Sequence, residues 1–150
     1  MVTKTMKIRY VNSDLTTARE RFIAHGCNAQ GVMGSGVAKA IRAKWPRAYK
    51  EYNERYKIAG LGTGEVIPVF YDDKTILNCI TQERYGRSGE QYVSYEAVRL
   101  CMKLINNNFS IDSRVAMSKI GSSLGGGDWS IISEIIEAES TNFIPIVYEI

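Results

Sequence analysis

Two glycine-rich turns constrain the fold of this chain most, because each lies between a strand-like run and a helix-like pattern. The first turn covers Gly31 to Gly36 and the second covers Gly121 to Gly127. A helix N-terminus exposes unpaired N–H groups and carries partial positive charge, and glycine lets the backbone approach an anion closely. We expect the two turns to lie at one edge of a sheet and to hold a diphosphate from opposite sides. The alternative is that the glycines only make tight turns.

Neither turn matches the common phosphate-binding fingerprints. In GSGVAK, Lys39 occupies the position at which GxGxxG requires its third glycine, and no GxxxxGK followed by Ser or Thr occurs. A nicotinamide oxidoreductase and a P-loop nucleotidase are therefore disfavoured. The second turn, GSSLGGG, contains more glycine than we expect a strand-to-helix turn to need, which favours a ligand site.

The chain has the size and apolar content of one globular domain, with 150 residues of which 45% are hydrophobic. We therefore predict a single domain over residues 1–150. The net charge of +3 is a mild excess that helps to attract an anionic ligand without indicating stable binding to nucleic acid.

Cysteine usage and hydropathy predict a cytoplasmic protein. Cys27, Cys79 and Cys101 are odd in number and widely scattered, which predicts reduced thiols rather than a disulfide scaffold or a metal site. The longest apolar runs have the length of strands, and the polar N-terminus lacks a signal-peptide core. We expect no association with a membrane.

Strand-like and helix-like segments alternate along the chain. The strand-like runs are MKIRYV, RFIAHGC, EVIPVFY, KTILNCIT, RVAMSKI and FIPIVYEI, and the third and fourth are predicted to form a hairpin. Helical periodicity covers residues 37 to about 57, with Pro46 kinking or dividing the helix, residues 93 to about 107, and the segment around residues 131–136. This alternation predicts an α/β fold with helices on both faces of a mixed sheet.

Four polar residues near these turns have both a structural and a chemical interpretation. His25 lies in an apolar strand, where a buried imidazole is the expected structural role. Asp128 follows three glycines and opens a helix, so it either caps the helix or holds a water molecule beside a phosphate. Asp14 is either a turn acid or an acceptor for an adenine amino group. Asn28 can donate and accept at once, as a side chain that binds ribose hydroxyls must.

The segments FIAHGCNAQGVMGSGVAKAI and MSKIGSSLGGGDW resemble the macrodomain (Appr-1-p processing) family, and NSDLT and VYEI extend the resemblance over nearly the whole chain. The similar branch contains ADP-ribose-1''-phosphate phosphatases and small hydrolases that remove ADP-ribose from proteins or DNA. The resemblance implies a three-layer α/β/α sandwich around a mixed sheet of about six strands, formed by one macrodomain over residues 1–150.

The resemblance also implies an ADP-ribose site. Asp14 and the backbone of Leu15 would lie at the adenine, and Asn28 would contact the distal ribose. The diphosphate would lie between a first loop, made of Gly34, Ser35, Gly36 and Val37, and a second loop, made of Ser122, Ser123, Leu124, Gly125, Gly126 and Gly127. His25 stands where many relatives have an asparagine that braces the loop, so it is expected to support the site, and Tyr148 would be an aromatic residue on the ligand side.

Two departures from the family pattern bear on the mechanism. Some hydrolase relatives use a lysine in a Thr-Lys context, where this chain has Gln82 and Glu83 after Thr81, so a lysine nucleophile is disfavoured. Certain relatives carry an aspartate where this chain has Gly125. Asp128 matches instead the aspartate of the GGxDW form found in other members.

These expectations combine into one functional prediction. The chain binds ADP-ribose and, as a monomer without a metal ion or other cofactor, hydrolyses the 1'' phosphate of ADP-ribose-1''-phosphate. Asn28 and Asp128 are the predicted catalytic residues, and the attacking water is held by Asp128 or by the substrate's own phosphate. The alternatives are an ADP-ribosyl hydrolase that acts on protein or nucleic acid, and a non-catalytic ADP-ribose reader.

Overall fold

One mixed sheet forms the centre of the molecule. The computed structural model describes residues 4–108 and 113–150, and its strands are β1 (Arg9–Asn12), β2 (Phe22–Asn28), β3 (Val66–Phe70), β4 (Thr75–Gln82), β5 (Ser113–Met117) and β6 (Phe143–Glu149). Their order across the sheet is β1-β6-β5-β2-β4-β3. β3 runs antiparallel to β4, which confirms the predicted hairpin, and the other neighbouring strands pair in parallel.

Within the described residues, four α-helices and one short 3-10 turn connect the strands. They are α1 (Gly36–Lys44), α2 (Pro46–Ala59), α3 (Tyr95–Asn107), α4 (Trp129–Glu139) and the turn Leu15–Thr17. The helical pattern from Val37 to about Lys57 is divided in two, because Pro46 has no N–H to donate into α1 and instead occupies the first turn of α2. None of the described helices is both long enough and apolar enough to cross a membrane.

The helices cover both faces of the sheet, which confirms the three-layer α/β/α sandwich. On one face, Ile41 of α1 and Ala48 of α2 belong to a buried cluster with residues of the strands, Ile23, Ile76 and Ala116. On the other face, α3 and α4 contribute Val98, Met102, Ile132 and Ile136 to a cluster with the strand residues Ala24, Leu77, Val115, Met117 and Val147. Each fully buried Val, Leu, Ile or Met side chain contributes roughly 1.5–3 kcal/mol to folding.

β4 lies inside the sheet, and β3 lies at its border. The first seven of the eight residues of β4 are buried, as expected for an interior strand with helices on both of its faces. β3 contains Pro68, which cannot donate to a neighbouring strand.

The sheet places both glycine-rich turns at one edge. Because β2 and β5 run parallel to each other, their carboxyl ends meet at one edge of the sheet, and the two turns follow these strands there.

Candidate functional site

A cleft of about 1030 Å³ lies at this edge of the sheet. Small-molecule sites commonly have volumes of roughly 300–1,000 Å³, so the cleft accommodates a large ligand. The predicted site residues that line it are Asp14, Leu15, Asn28, Gly34, Ser35, Gly36, Val37, Ser123, Leu124, Gly125 and Tyr148. The predicted site residues outside its lining are His25, Ser122, Gly126, Gly127 and Asp128.

The first glycine-rich turn leaves the N-terminus of α1 open to the cleft. Ser35 is the residue before the helix, but its side chain makes no hydrogen bond to α1. Its hydroxyl accepts instead from Arg87 Nη2 at 3.1 Å. The first N–H groups of α1 therefore have no side-chain acceptor and are available to an anion.

The two glycine-rich turns face each other across the cleft. Gly36 has a φ of 58°, a backbone conformation that favours glycine. A Cβ at Gly36 would lie 3.6 Å from Leu124 Cδ1, which belongs to the second turn. The two turns therefore meet at the cleft, and a diphosphate held between them stays a prediction.

The extra glycines of the second turn are required by packing. Gly125 O accepts hydrogen bonds from Tyr92 N at 2.7 Å and from Val93 N at 3.0 Å. A Cβ at Gly126 would collide with Glu90 O, and one at Gly127 would lie 2.6 Å from Val93 Cγ1. The interpretation that these glycines exceed what the turn needs is therefore wrong, because the segment that packs against them comes from a distant part of the sequence.

Asp128 closes the N-terminus of α4. Its Oδ1 accepts from Ser130 Oγ at 2.7 Å and from Ser130 N at 2.9 Å, and these hydrogen bonds, the side-chain one foremost, lower the pKa of the carboxyl group. α4 thus has the carboxylate cap that α1 lacks, so the two helix ends are unequal as anion sites. A catalytic role for Asp128 stays a prediction, which its exposed capping position outside the cleft lining does not favour.

The side-chain amide of Asn28 is fixed by its surroundings. Asn28 Oδ1 accepts from Gln30 N at 2.9 Å and from the Tyr52 hydroxyl at 2.9 Å, and Asn28 Nδ2 donates to Val32 O at 2.9 Å. The Tyr52 hydroxyl also lies 2.6 Å from Asn28 O, and burial raises the pKa of Tyr52. The one proton of the Tyr52 hydroxyl is shared between Asn28 O and Asn28 Oδ1, and Nδ2 uses one of its two N–H groups on Val32 O. The second N–H of Nδ2 is the donor left for a ligand, and contact with a ribose stays a prediction.

Asp14 combines the two roles considered for it, in that it shapes a turn and also lines the cleft. Its Oδ1 accepts from Thr16 N at 2.8 Å and from Thr16 Oγ1 at 2.9 Å, and the backbone hydrogen bond is the main reason that the pKa of Asp14 is lowered. Asn12, at the end of β1, pairs with Glu149 of β6, so the residues after β1 lie next to the end of β6. Contact between Asp14 and an adenine group stays a prediction.

Tyr148 lines the same end of the cleft with its hydroxyl already engaged. That hydroxyl donates to Glu20 Oε1 at 2.5 Å. Burial, followed by the interaction with Glu20, raises the pKa of Tyr148 to about 12. The ring of Tyr148, rather than its hydroxyl, is therefore the part that is free to contact a ligand.

His25 supports the sheet rather than the glycine-rich turn. It is fully buried, and its Nε2 lies 2.6 Å from Asn78 Oδ1 on β4. Asn78 Nδ2 in turn donates to Ala48 O on α2 at 3.2 Å. Burial lowers the pKa of His25 to about 4, so the imidazole is neutral at pH 7. His25 therefore connects β2 to β4 and, through Asn78, to α2, whereas the resemblance implied a contact with the loop.

One wall of the cleft, formed by the end of β4 and the segment after it, was not predicted from the sequence. Thr81, Gln82, Tyr85, Gly86 and Arg87 all line the cleft. The Thr81 hydroxyl is fully buried and has no hydrogen-bond partner among the described residues, and such a group is usually satisfied by a bound molecule or water. This wall has no periodic pattern and no glycine-rich turn; its one sequence signal is the cluster of charged and aromatic residues in ERYGR.

Metal-ligating side chains are dispersed in the described part of the chain. Within residues 4–108 and 113–150, no group of three or more His, Cys, Asp or Glu side chains is placed to hold a metal ion. Cys27, Cys79 and Cys101 are buried free thiols, and burial is the main cause that raises the pKa of Cys27. Cys79 and Cys101 lie in the core away from the cleft, whereas Cys27, although buried, also belongs to the cleft lining.

Comparisons with known proteins show which family and which sequences this chain resembles. The model of the Macro domain family matches residues 24–136. An uncharacterized 17.5 kDa protein of Enterobacteria phage T4 is 29% identical, and the match covers 96% of this chain and 97% of that protein. An ADP-ribose 1''-phosphate phosphatase of Candida glabrata is 26% identical, and the match covers 95% of this chain and 98% of that protein.

A solved structure shares the fold. Thermosipho africanus DarTG, determined in complex with ADP-ribose, superposes with a TM-score of 0.81 at 19% identity. The superposition covers 97% of this chain and 42% of that chain. The described layers and strand order therefore have a counterpart in a solved protein.

Proposed function

We propose that this chain, which belongs to the Macro domain family, binds ADP-ribose in the cleft and hydrolyses the 1'' phosphate of ADP-ribose-1''-phosphate. The observation that carries the proposal is the open N-terminus of α1, which lies between two facing glycine-rich turns in a cleft large enough for a dinucleotide-sized ligand. The Candida glabrata phosphatase, matched over nearly its whole length, supports the reaction, and the neighbour solved with ADP-ribose supports the ligand.

The order of strands gives the ligand a direction. β1 and β2 are separated by β6 and β5, a distance of about 14 Å at the usual spacing of strands. An adenine group would lie at Asp14, which follows β1. The diphosphate would lie on the N–H groups of α1, and the distal ribose would receive a hydrogen bond from Asn28 Nδ2 at the end of β2.

The reaction in this arrangement is an addition of water to the terminal phosphate. The hydroxyl of water becomes bonded to phosphorus, the bond between phosphorus and the 1'' oxygen breaks, and the proton of water passes to that oxygen. ADP-ribose and inorganic phosphate leave. The acidic side chains in the cleft lining are Asp14 and Glu149, both near the β1 end, so the substrate's own phosphate is the group that relays the proton.

Phosphate release tests this proposal. We expect the purified chain to release inorganic phosphate from ADP-ribose-1''-phosphate, and Asn28→Ala to lower kcat/KM by about 10- to 100-fold, because a positioned hydrogen bond to the reacting sugar is lost. Asn107→Ala, an exposed change of the same kind at the end of α3, serves as the matched control. Binding of ADP-ribose without phosphate release above a no-enzyme blank would overturn the phosphatase proposal.

The second candidate is a non-catalytic ADP-ribose reader. It is favoured by one observation: the acidic residues of the described cleft lining lie near β1 and β6, away from Asn28. Calorimetry with ADP-ribose, run beside gel assays on ADP-ribosylated protein and DNA, separates the candidates. Affinity without any cleavage identifies a reader, and release of ADP-ribose from a macromolecule identifies an ADP-ribosyl hydrolase.

We further propose that the chain acts in the cytoplasm as a monomer without stable binding to nucleic acid. The three free thiols support a reducing compartment. The net charge of +3 is small compared with the basic surfaces that bind nucleic acid.

A further inference from the structure

Arg87 lines the cleft, and the segment to which it belongs contacts both glycine-rich turns. It belongs to the wall that follows β4, and its Nη2 donates to Ser35 Oγ, at the start of α1, at 3.1 Å. Further along the same segment, Tyr92 N and Val93 N donate to Gly125 O in the second turn. This segment therefore contacts both glycine-rich turns, and Arg87 makes the contact with the first turn.

Arg87 contacts the start of α1, and the residues that precede it in sequence contact the end of β2 at Asn28. Asn28 pairs with Gln82 where β2 and β4 end, and Gln30 Nε2 donates to Glu83 O at 3.0 Å. The turn after β2 and the wall after β4 are thus joined directly before Arg87. A ligand group that extends beyond Asn28, away from Asp14, meets this part of the wall.

The charge of Arg87 is not neutralised by an acidic side chain. Lys119, the other cation in the cleft lining, pairs with Glu149 at 3.0 Å, and Arg84 pairs with Glu90 at 3.0 Å. Within residues 4–108 and 113–150, no Asp or Glu forms an ion pair with Arg87, whose polar contact is the neutral Ser35 hydroxyl. An incoming anion can replace that hydroxyl without breaking a salt bridge.

We propose that Arg87 recognises the 1'' phosphate and thereby distinguishes ADP-ribose-1''-phosphate from ADP-ribose. A phosphomonoester carries about −1.5 to −2 charges at pH 7, and this is the group that ADP-ribose lacks. The planar guanidinium can donate two parallel hydrogen bonds to such a group, which an ammonium cannot do. This inference rests on the proposed function, because it assigns the specificity of that same site.

The test compares two ligands in one variant. We expect Arg87→Gln to lower kcat/KM for ADP-ribose-1''-phosphate by about 10- to 100-fold while the Kd for ADP-ribose changes less than about threefold. Arg87→Lys should recover part of the loss, because it restores charge without the paired donors. Arg84→Gln removes the same charge from the same segment outside the cleft lining, and it should leave both values near wild type.

Failure of this inference can be told apart from failure of the proposed function. If Arg87→Gln weakens ADP-ribose binding by the same factor, or changes neither value, the assignment of Arg87 is overturned while the phosphatase stands. If the wild-type chain releases no phosphate, the uncleaved ADP-ribose-1''-phosphate becomes the calorimetric probe. The assignment then requires that wild type binds it more tightly than ADP-ribose and that Arg87→Gln removes the difference; equal binding by wild type overturns it.

Discussion

At the scale of single residues, the amide of Asn28 depends on a hydroxyl supplied by another element. Tyr52 lies on α2, is fully buried, and places its hydroxyl 2.9 Å from Asn28 Oδ1 and 2.6 Å from Asn28 O. These contacts hold the amide oxygen in place and leave one N–H of Nδ2 as the donor available to a ligand. Tyr52 is therefore a positioning residue for the proposed ribose contact, without touching the ligand itself.

Tyr52→Phe tests this positioning. The variant keeps the ring and removes the hydroxyl, so we expect the Kd for ADP-ribose to rise about three- to tenfold, together with a loss of about 1 kcal/mol in the free energy of unfolding. Calorimetry on the folded protein measures the first effect and urea denaturation the second. Tyr49→Phe, on the same helix, is the matched control. Reduced stability with unchanged affinity would show that the hydroxyl is only structural.

At the scale of elements, α1 and α4 occupy equivalent positions after a strand and a glycine-rich turn, yet their N-termini differ. Ser35 leaves α1 uncapped because its hydroxyl contacts Arg87, whereas Asp128 caps α4 through Ser130. A helix end that already has a carboxylate repels a second anion. The uncapped N-terminus of α1 is therefore the proposed phosphate-binding end, whereas the N-terminus of α4 is already capped by Asp128.

Substitutions of Asp128 distinguish capping from catalysis. Asparagine is as good a cap as aspartate, so Asp128→Asn should keep phosphate release within about threefold of wild type, whereas Asp128→Ala should lower the Tm by about 2–4 °C. Thermal unfolding and the phosphate assay measure the two effects. Loss of activity in Asp128→Asn at unchanged Tm would instead establish the carboxylate as a catalytic group.

The elements that local chemistry determines were predictable, and those that depend on distant contacts were not. Pro46 divides the helical pattern whatever the tertiary contacts, because it lacks an N–H group. The β3–β4 hairpin forms because a short turn connects two apolar runs. The predicted first strand, in contrast, began at Met6, whereas β1 begins at Arg9. Met6 N donates to Ser140 O and Ile8 N to Glu137 Oε2, so this segment leaves the sheet for contacts that no local pattern reveals.

The same distinction between local chemistry and distant contacts applies to the residues of the site. Asn28 and the first turn were found because they follow directly from the end of a strand and the start of a helix. Arg87 was missed because its role depends on the path of the chain after β4, which brings it to Ser35 across 52 positions of sequence. The need for glycine at Gly126 was likewise invisible without the segment that packs against it.

At the scale of the whole molecule, His25 makes stability depend on pH. Burial lowers its pKa to about 4, well below the ordinary range of histidine, so between about pH 6.5 and pH 4 the unfolded chain binds a proton that the folded chain does not. The contribution of His25 to stability is therefore fully present above about pH 6.5, and on the order of 3 kcal/mol of it is lost as the pH falls to about 4. The lowered pKa values of Asp14 and Asp128 add a further loss of stability that begins at about pH 5 and grows as the pH falls.

His25→Gln isolates this contribution. Glutamine can still donate to Asn78 Oδ1 but does not titrate, so we expect its free energy of unfolding to vary less between pH 6.5 and pH 4.5 than that of wild type. Urea denaturation at four pH values across this interval gives both curves. Parallel curves would show that another group, and not His25, is responsible for the loss.

The position of β6 in the sheet has a consequence for the order in which the chain folds. β6 follows every other strand along the sequence, yet it lies between β1 and β5 and carries Tyr148 and Glu149 at the cleft. Its partner β1 is more than a hundred positions away; the nearby contact of Ile8 with Glu137 already spans 129. Pairings of such long range form slowly. Ligand affinity should therefore arise late and abruptly during refolding, when β6 inserts, so that a partly folded chain sequesters no nucleotide.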